Sequence, residues 1–308
     1  MEKKRLVTRS DFDGLVCAMI LRELDIIDNI KFVHPKDVQD GKIELDADDI
    51  TTNLPFDPRV GLAFDHHASE MERLAAAKTE GKLVIDDKAR SAARVVYNYY
   101  GGAERLPNIS PDLMTAVDKG DSADFTLDEI LHPTGWVLLH FIMDPRTGLG
   151  RFRDFRISNY DLMMELIDFC VGHSIDEILA LPDVKERTDL YFEQESLFEA
   201  QLRRIVDVRG KVAVIDLRNE ETIYAGNRFA VYAMYPETEV SIHVAWGFKK
   251  QNTALMIGKS ILNKASKAHI GDICLSYGGG GHRNAGTCQV DNDKADEILA
   301  EIVEKLNA

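Results

Sequence analysis

The stretch Arg5-Leu6-Val7-Thr8-Arg9-Ser10-Asp11-Phe12-Asp13-Gly14-Leu15-Val16-Cys17-Ala18-Met19-Ile20-Leu21-Arg22-Glu23-Leu24 reads as a short strand, an acidic turn and a helix. Residues 5–8 form the strand. Residues 15–24 repeat apolar side chains at helical spacing, with Val16, Met19 and Ile20 on one face. A strand that hands an acidic turn to a helix begins an open α/β sheet, and ligands of such sheets gather beyond the carboxyl ends of the strands.

Outward from this stretch the alternation continues. Residues 30–34, 49–54, 61–64 and 82–85 read as strands, and residues 91–100 as a helix stopped at Gly101-Gly102. The order predicts an α/β fold of two domains, the larger built on a doubly wound, mostly parallel sheet with helices on both faces. Residues 113–170 have a helical pattern. Pro182 opens a long amphipathic helix through Leu190, Leu197, Leu202 and Ile205, of the kind that connects two domains. Strand texture returns at 211–217, 238–246 and 253–257, residues 260–268 read as a helix, and residues 293–306 as a closing helix. The expected organisation is a catalytic domain over 1–184, a helical linker over 185–209 and a smaller α/β substrate-binding domain over 210–308.

The chain has 308 residues, 45% hydrophobic and 29% charged, enough for two cores. Lys3, Lys4 and Arg5 are followed by Asp11 and Asp13 without an apolar signal core, so no secretory peptide is expected. No apolar run is long enough to span a bilayer. Cys17, Cys170, Cys274 and Cys288 lack CxxC spacing and read as reduced, packed thiols of a cytoplasmic protein. The net charge of −15 argues against electrostatic tracking of a long duplex, which needs a basic stripe to displace counterions. It is compatible with a small anion held by a metal and a few basic groups.

Four constellations carry chemistry. Asp11 and Asp13 lie two apart at a strand end, where alternate residues face one point. Carboxylates with imidazoles suit Mn²⁺ or a similar ion, although an Asp before an apolar helix also serves as an N-cap. Asp65-His66-His67 ends a buried-looking strand and offers three ligands. In the segment from Ala116 to Phe125, either Asp118 or Asp121 can complete a metal shell, the plain alternative being solvated acids at a helix end. Gly278-Gly279-Gly280-Gly281 tolerates positive φ, so successive N–H groups can point at one anion. Arg283 adds a fork that matches phosphate, and His282 can donate to it or protonate a leaving oxygen. The plain alternative is a glycine hairpin. Arg90-Ser91 and Lys259-Ser260 are weaker anion sites that read more simply as surface capping.

The order Asp11-Phe12-Asp13-Gly14, Asp65-His66-His67, Asp121-Ser122-Ala123-Asp124-Phe125 and Gly278 through Gly286 resembles the DHH phosphoesterases with the DHH-associated C-terminal domain. It is most similar to the exopolyphosphatase-related, oligoribonuclease-like group. The resemblance implies a catalytic α/β domain with a dinuclear Mn²⁺ (or Mg²⁺) site and a smaller domain that carries substrate. It implies that Asp11 and Asp13 form the first motif and that His66 binds metal. Asp65 would support that ligand, with His67 behind it or at the phosphate. Asp121 fits the fourth motif and Asp118 is its alternative. Gly279, Gly280, His282 and Arg283 match the substrate loop, of which Gly278 and Gly281 are part.

Two positions depart from that pattern. Arg9 stands where the family usually has His or Asp, and Asn53 where an Asp usually bridges the metals. Arginine has no lone pair for a metal and asparagine offers only a neutral oxygen. One complete ion site remains, from Asp13, His66 and an acid of the fourth motif, beside an incomplete second one, with Arg9 placed to contact phosphate instead. The expected activity is metal-dependent hydrolysis of phosphoester or phosphoanhydride bonds in a short oligonucleotide, a nucleotide phosphate or short polyphosphate, with His67, His282 and Arg283 as catalytic groups. The rivals are a catalytically weakened phosphate- or nucleotide-binding homologue and a single-strand exonuclease; the charge and the lack of an aromatic-basic track disfavour the second. The expected partner is a small phosphorylated substrate, with no long duplex nucleic acid and no membrane, in a monomer or homodimer.

Overall fold

The computed structural model describes residues 3–67, 70, 74, 79, 81–152 and 154–308. The chain divides into two compact units. The first comprises the residues up to Asp124, Pro133–Pro145 and Leu149–Asp189; the second comprises Phe125–His132, Arg146–Gly148 and Leu190–Ala308.

The first unit is built on five parallel strands, β1 (Lys4–Thr8), β2 (Ile27–Phe32), β3 (Asp49–Thr52), β4 (Leu62–Asp65) and β5 (Leu83–Ile85). Their order is β2-β1-β3-β4-β5. The chain winds to one side of β1 and then to the other, so the sheet reverses direction between β1 and β3, where open α/β sheets place their ligands. Thr8 pairs with Thr52 and Thr52 with Phe64. The next residue on each strand, Arg9, Asn53 and Asp65, therefore shares one edge of the sheet.

Helix α1 (Phe12–Glu23) follows β1 and is buried from Phe12 through Leu21. A helix apolar on all sides lies inside a domain, which accounts for the unbroken run from Leu15 to Leu21. It packs against α2 (Ala92–Tyr99), α3 (Pro111–Asp121) and, beyond α4 (Gly135–Met143), against α5 (Asn159–Phe169). The expected connector is one continuous helix, α6 (Pro182–Ile205).

The second unit holds a six-stranded mixed sheet of β6 (Val206–Arg209), β7 (Val212–Asp216), β8 (Val240–Trp246), β9 (Thr253–Lys259), β10 (Gly280–Gly281) and β11 (Ala285–Val290) in the order β10-β11-β9-β8-β7-β6. Only β7 and β8 run parallel. One face of this sheet carries Val212, Val214, Val240, Ile242, Val244, Leu255 and Ile257. They pack on Ile270 and Cys274 of α8 and on Leu299, Ile302 and Leu306 of α9. Here α7 is Ala230–Met234, α8 is Ile270–Leu275 and α9 is Ala295–Asn307. On the other face, the Tyr232 hydroxyl meets Ser241 Oγ and the Gly258 carbonyl, each at 2.8 Å.

Several elements differ from those expected of the sequence. Residues 260–268 are not helical, because Ser260 Oγ accepts from Leu262 N and Asn263 N and turns the chain locally. The helix begins instead at Ile270, after His269, whose ring nitrogen accepts from Asp272 N. Strands β6, β10 and β11 lie outside the expected strands, and β2 runs over Ile27–Phe32 rather than 30–34. β6 follows α6 without a break, and β10 and β11 both draw on the glycine-rich motif. All four cysteines are free and buried. Among the described residues no helix is long and apolar enough to cross a membrane.

Candidate functional site

The register of the first sheet delivers the acidic turn and the histidines to one edge. Asp13, His66 and Asp121 each present a ligand atom there, all within 4.8 Å of one another. Asp13 sits in the first turn of α1 and is 3% exposed. Its Oδ1 accepts from Ala93 N at 2.8 Å and its Oδ2 from Ala92 N at 3.1 Å. The amino end of α2, capped by Ser91, thus points its first N–H groups and the positive end of its dipole at this carboxylate. Gly14 is required for the turn: a Cβ there would lie 2.0 Å from the Arg9 carbonyl oxygen.

His66 follows β4. Its Nδ1 lies 3.3 Å from the Ala89 carbonyl oxygen, which assigns the proton to Nδ1 and leaves Nε2 as the donor atom. Nε2 is buried, 2.9 Å from Asp121 Oδ2, in contact but not aligned for a hydrogen bond. An imidazole nitrogen held this way between two carboxylates is a donor set for Mn²⁺ or a similar divalent cation. The residues fit the ion.

Electrostatics points the same way. Burial, and then the charge of Asp121, raises the Asp13 carboxyl well above its ordinary range. Burial opposes charge on His66, but contact with Asp121 and the charges of Asp13 and Asp65 outweigh it and lift the ring to about 9. Burial would raise Asp121, yet His66, His67 and Arg9 hold it below the usual carboxylate value. Protons thus occupy the ligand atoms of Asp13 and His66 in the ion-free cluster, and a divalent cation bound there would displace them.

The other predicted residues take different positions. Asp65 Oδ1 accepts from His66 N at 2.8 Å and lies 2.6 Å from His67 Nδ1. It orients both histidines and, with them, forms a second cluster of ligand atoms. Asp118 is turned away. Its Oδ1 accepts from the Ser91 hydroxyl at 2.8 Å and its Oδ2 from Arg94 Nε and Nη2 at 2.9 and 2.7 Å. It joins α3 to α2, so of the two acids weighed for the fourth position, Asp121 is the one in the cluster. Asp11, expected as a ligand, caps α1 by accepting from Gly14 N at 3.0 Å and pairs with Arg9 Nε at 3.1 Å. Asn53 is 2% exposed with φ +55°, and neither Oδ1 nor Nδ2 has a hydrogen-bond partner among the described residues.

In the second unit the glycine run is a tight hairpin rather than an open cradle. Gly280 pairs with Thr287 and Gly281 with Gly286. The N–H groups of Gly278, Gly279 and His282 are donated to Leu275, Cys274 and Ala285 carbonyls, so the expected row of converging N–H groups is largely used internally. The glycines serve close packing: Gly281 has φ +154°, and a Cβ there would lie 2.3 Å from the Ala285 oxygen. The hairpin presents His282, Arg283 and Asn284 at an exposed tip. Arg283 lies near enough to Lys259 that its charge, after burial, lowers the Lys259 ammonium. Arg283 and Lys259 make a basic pair.

Sequence reasoning missed the Ala89 carbonyl, the Ala92 and Ala93 N–H groups and the place of Lys259 beside Arg283. Ser91 was visible as a helix cap, but nothing in the sequence showed that this helix end faces a carboxylate 79 residues away.

No family model matches the sequence, and no curated protein matches it. Among solved structures the chain is similar to the pGpG-specific phosphodiesterase PggH from Vibrio cholerae, at 52% identity over 99% of both chains with a TM-score of 0.82. It also resembles RecJ from Thermus thermophilus in complex with Mn²⁺, at 15% identity and a TM-score of 0.53, covering 98% of this chain and 52% of that one. The second likeness is one of fold. With the Asp-Phe-Asp, Asp-His-His and Gly-Gly-Gly-Gly-His motifs in place, and a relative more than half identical along its whole length, the chain belongs to the DHH family of metal-dependent phosphoester hydrolases.

Proposed function

We propose that the enzyme cleaves short linear dinucleotides of the pGpG kind, adding water across the single phosphodiester to release two 5′-GMP. The observation that carries this reading is the 52% identity to PggH over 99% of both chains. The cluster of Asp13, His66 and Asp121 supports it from within this chain, because it supplies the carboxylate and imidazole donors that the chemistry needs.

Asp13, His66 and Asp121 would hold the divalent ion, for which we propose manganese. Bound there, it supplies a Lewis acid that acidifies water and offsets charge on phosphate. The N-terminal N–H groups of α2 fix the Asp13 carboxylate, and the Ala89 carbonyl fixes the His66 tautomer. Asp65 orients His67 through Nδ1 and so fixes the imidazole for proton transfer. In the second unit, Arg283 offers a guanidinium fork that matches phosphate, Lys259 adds charge beside it, and His282 brings an imidazole able to transfer a proton to the same tip. The charge of −15 favours such small substrates, since two or three local cations suffice to hold one phosphate.

A panel of pGpG, pApA, cyclic di-GMP, short RNA and polyphosphate, each incubated with the Mn²⁺-loaded enzyme and resolved by ion-exchange chromatography, tests the assignment. The expected result is GMP from pGpG at the highest kcat/KM. Polyphosphate or the cyclic dinucleotide turning over faster would overturn it.

A further inference from the structure

Three residues share the carboxyl edge of the first sheet where its winding reverses, and only one of them is an acid. β1 ends into Arg9, β3 into Asn53 and β4 into Asp65. The Arg9 guanidinium pairs with Asp11 at 3.1 Å, so the acid beside it on the same turn is already neutralised and also caps α1. Asn53 brings a neutral amide. It is buried, its backbone lies in the left-handed region that asparagine tolerates, and both polar atoms of its side chain lack a partner among the described residues. A buried amide in that state is rare and calls for an occupant.

We infer that this chain holds a single divalent ion, at Asp13, His66 and Asp121, and that Arg9 and Asn53 bind a substrate phosphate oxygen directly at the neighbouring position. The inference rests on the metal reading of those three residues. A guanidinium carries a fixed positive charge and five donors but no lone pair, so it attracts a phosphate and repels a second cation. The Asn53 amide offers two N–H donors to a phosphate oxygen and only a neutral oxygen to any metal. Beside Asp65, whose Oδ1 is already taken up by His66 N and His67, an ion placed there would meet one fixed positive charge from Arg9 and only a neutral oxygen from Asn53. A phosphate placed there would meet a charge-assisted donor pair and satisfy the unpartnered amide.

The test is ion content together with binding. Full-length enzyme saturated with MnCl₂ and desalted should contain one manganese per chain by mass spectrometry, with an uncoupled six-line electron paramagnetic resonance spectrum. The double variant Arg9→His, Asn53→Asp should contain two, with an exchange-coupled spectrum. If it fails to fold by circular dichroism, Asn53→Asp alone should gain weak second-site occupancy. Arg9→Met should keep one ion and raise KM for pGpG about tenfold to a hundredfold, with Arg9→Lys recovering part of the loss. Two ions in the wild type, one ion in the double variant, or an unchanged KM in Arg9→Met would overturn the inference. A wild type that binds no ion sinks the metal reading itself, which separates that failure from this one.

Discussion

His66 Nε2 lies 2.9 Å from Asp121 Oδ2 while the opposite ring nitrogen faces the Ala89 carbonyl at 3.3 Å. The imidazole is thus oriented from behind, with Nε2 buried at its front between the two carboxylates. Asp13, held by two backbone N–H groups, completes the arrangement from a different element. The Asp13 carboxylate and the His66 ring are each held by a backbone group on the side away from the cluster, so their ligand atoms are already brought together.

Asp118→Ala separates structure from chemistry. Asp118 accepts three hydrogen bonds from Ser91 and Arg94 and is absent from the metal cluster. Because Arg94 is partly exposed and solvent screens the pair, the loss is expected at about 1–2 kcal/mol. Thermal unfolding should show a Tm lowered by a few degrees, with the bound manganese per chain unchanged. Loss of the ion in a folded Asp118→Ala enzyme would return Asp118 to the ligand set.

How much of this was legible depends on distance along the chain. The parallel sheet could be read from the strand-turn-helix alternation, and its acidic turn lay at the strand end where the fold places ligands. Asp65-His66-His67 was visible for the same reason. What could not be read was the choice between Asp118 and Asp121. Both sit near the end of α3, and only Ser91 and Arg94 on α2, brought alongside by tertiary packing, decide which acid is claimed. The glycine run misled in a different way. Its composition permits both an open anion cradle and a hairpin, and pairing with β11 selects the hairpin.

Gly281→Ala should damage the hairpin without touching the metal. Its φ of +154° is closed to a residue with a Cβ, and that Cβ would meet the Ala285 oxygen. The strain is of order 1–3 kcal/mol, confined to the tip. Expected are a raised KM for pGpG and unchanged manganese content; a wild-type KM would show that the hairpin does not serve substrate.

Arg283→Ala should raise KM for pGpG roughly tenfold to a hundredfold, the cost of one charge-assisted contact at about 1.5–3 kcal/mol. His282→Ala should lower kcat more than it raises KM. Steady-state kinetics on both variants checks the split, and equal, purely KM effects would remove His282 from proton transfer.

His243, on the β8 face opposite the core, is pushed down to about 4 by burial and by Arg228. The unfolded chain binds a proton near the ordinary value of 6.5 while the folded chain resists it. Its contribution to stability is therefore present above pH 6.5 and lost as pH falls towards about 4. Urea midpoints at pH 7.5 and 5.0 should show the wild type weakening at the lower pH more than His243→Gln does. Parallel shifts in the two proteins would remove His243 as the cause.

Phosphodiester cleavage should depend on an ion held by Asp13, His66 and Asp121. Stripping the enzyme with EDTA, restoring Mn²⁺ and following GMP release from pGpG in wild type and His66→Ala tests it most directly. Expected are an inactive stripped enzyme, recovery on Mn²⁺ in the wild type, and no recovery in a folded His66→Ala protein at any manganese concentration. Turnover by His66→Ala equal to that of the wild type would contradict it.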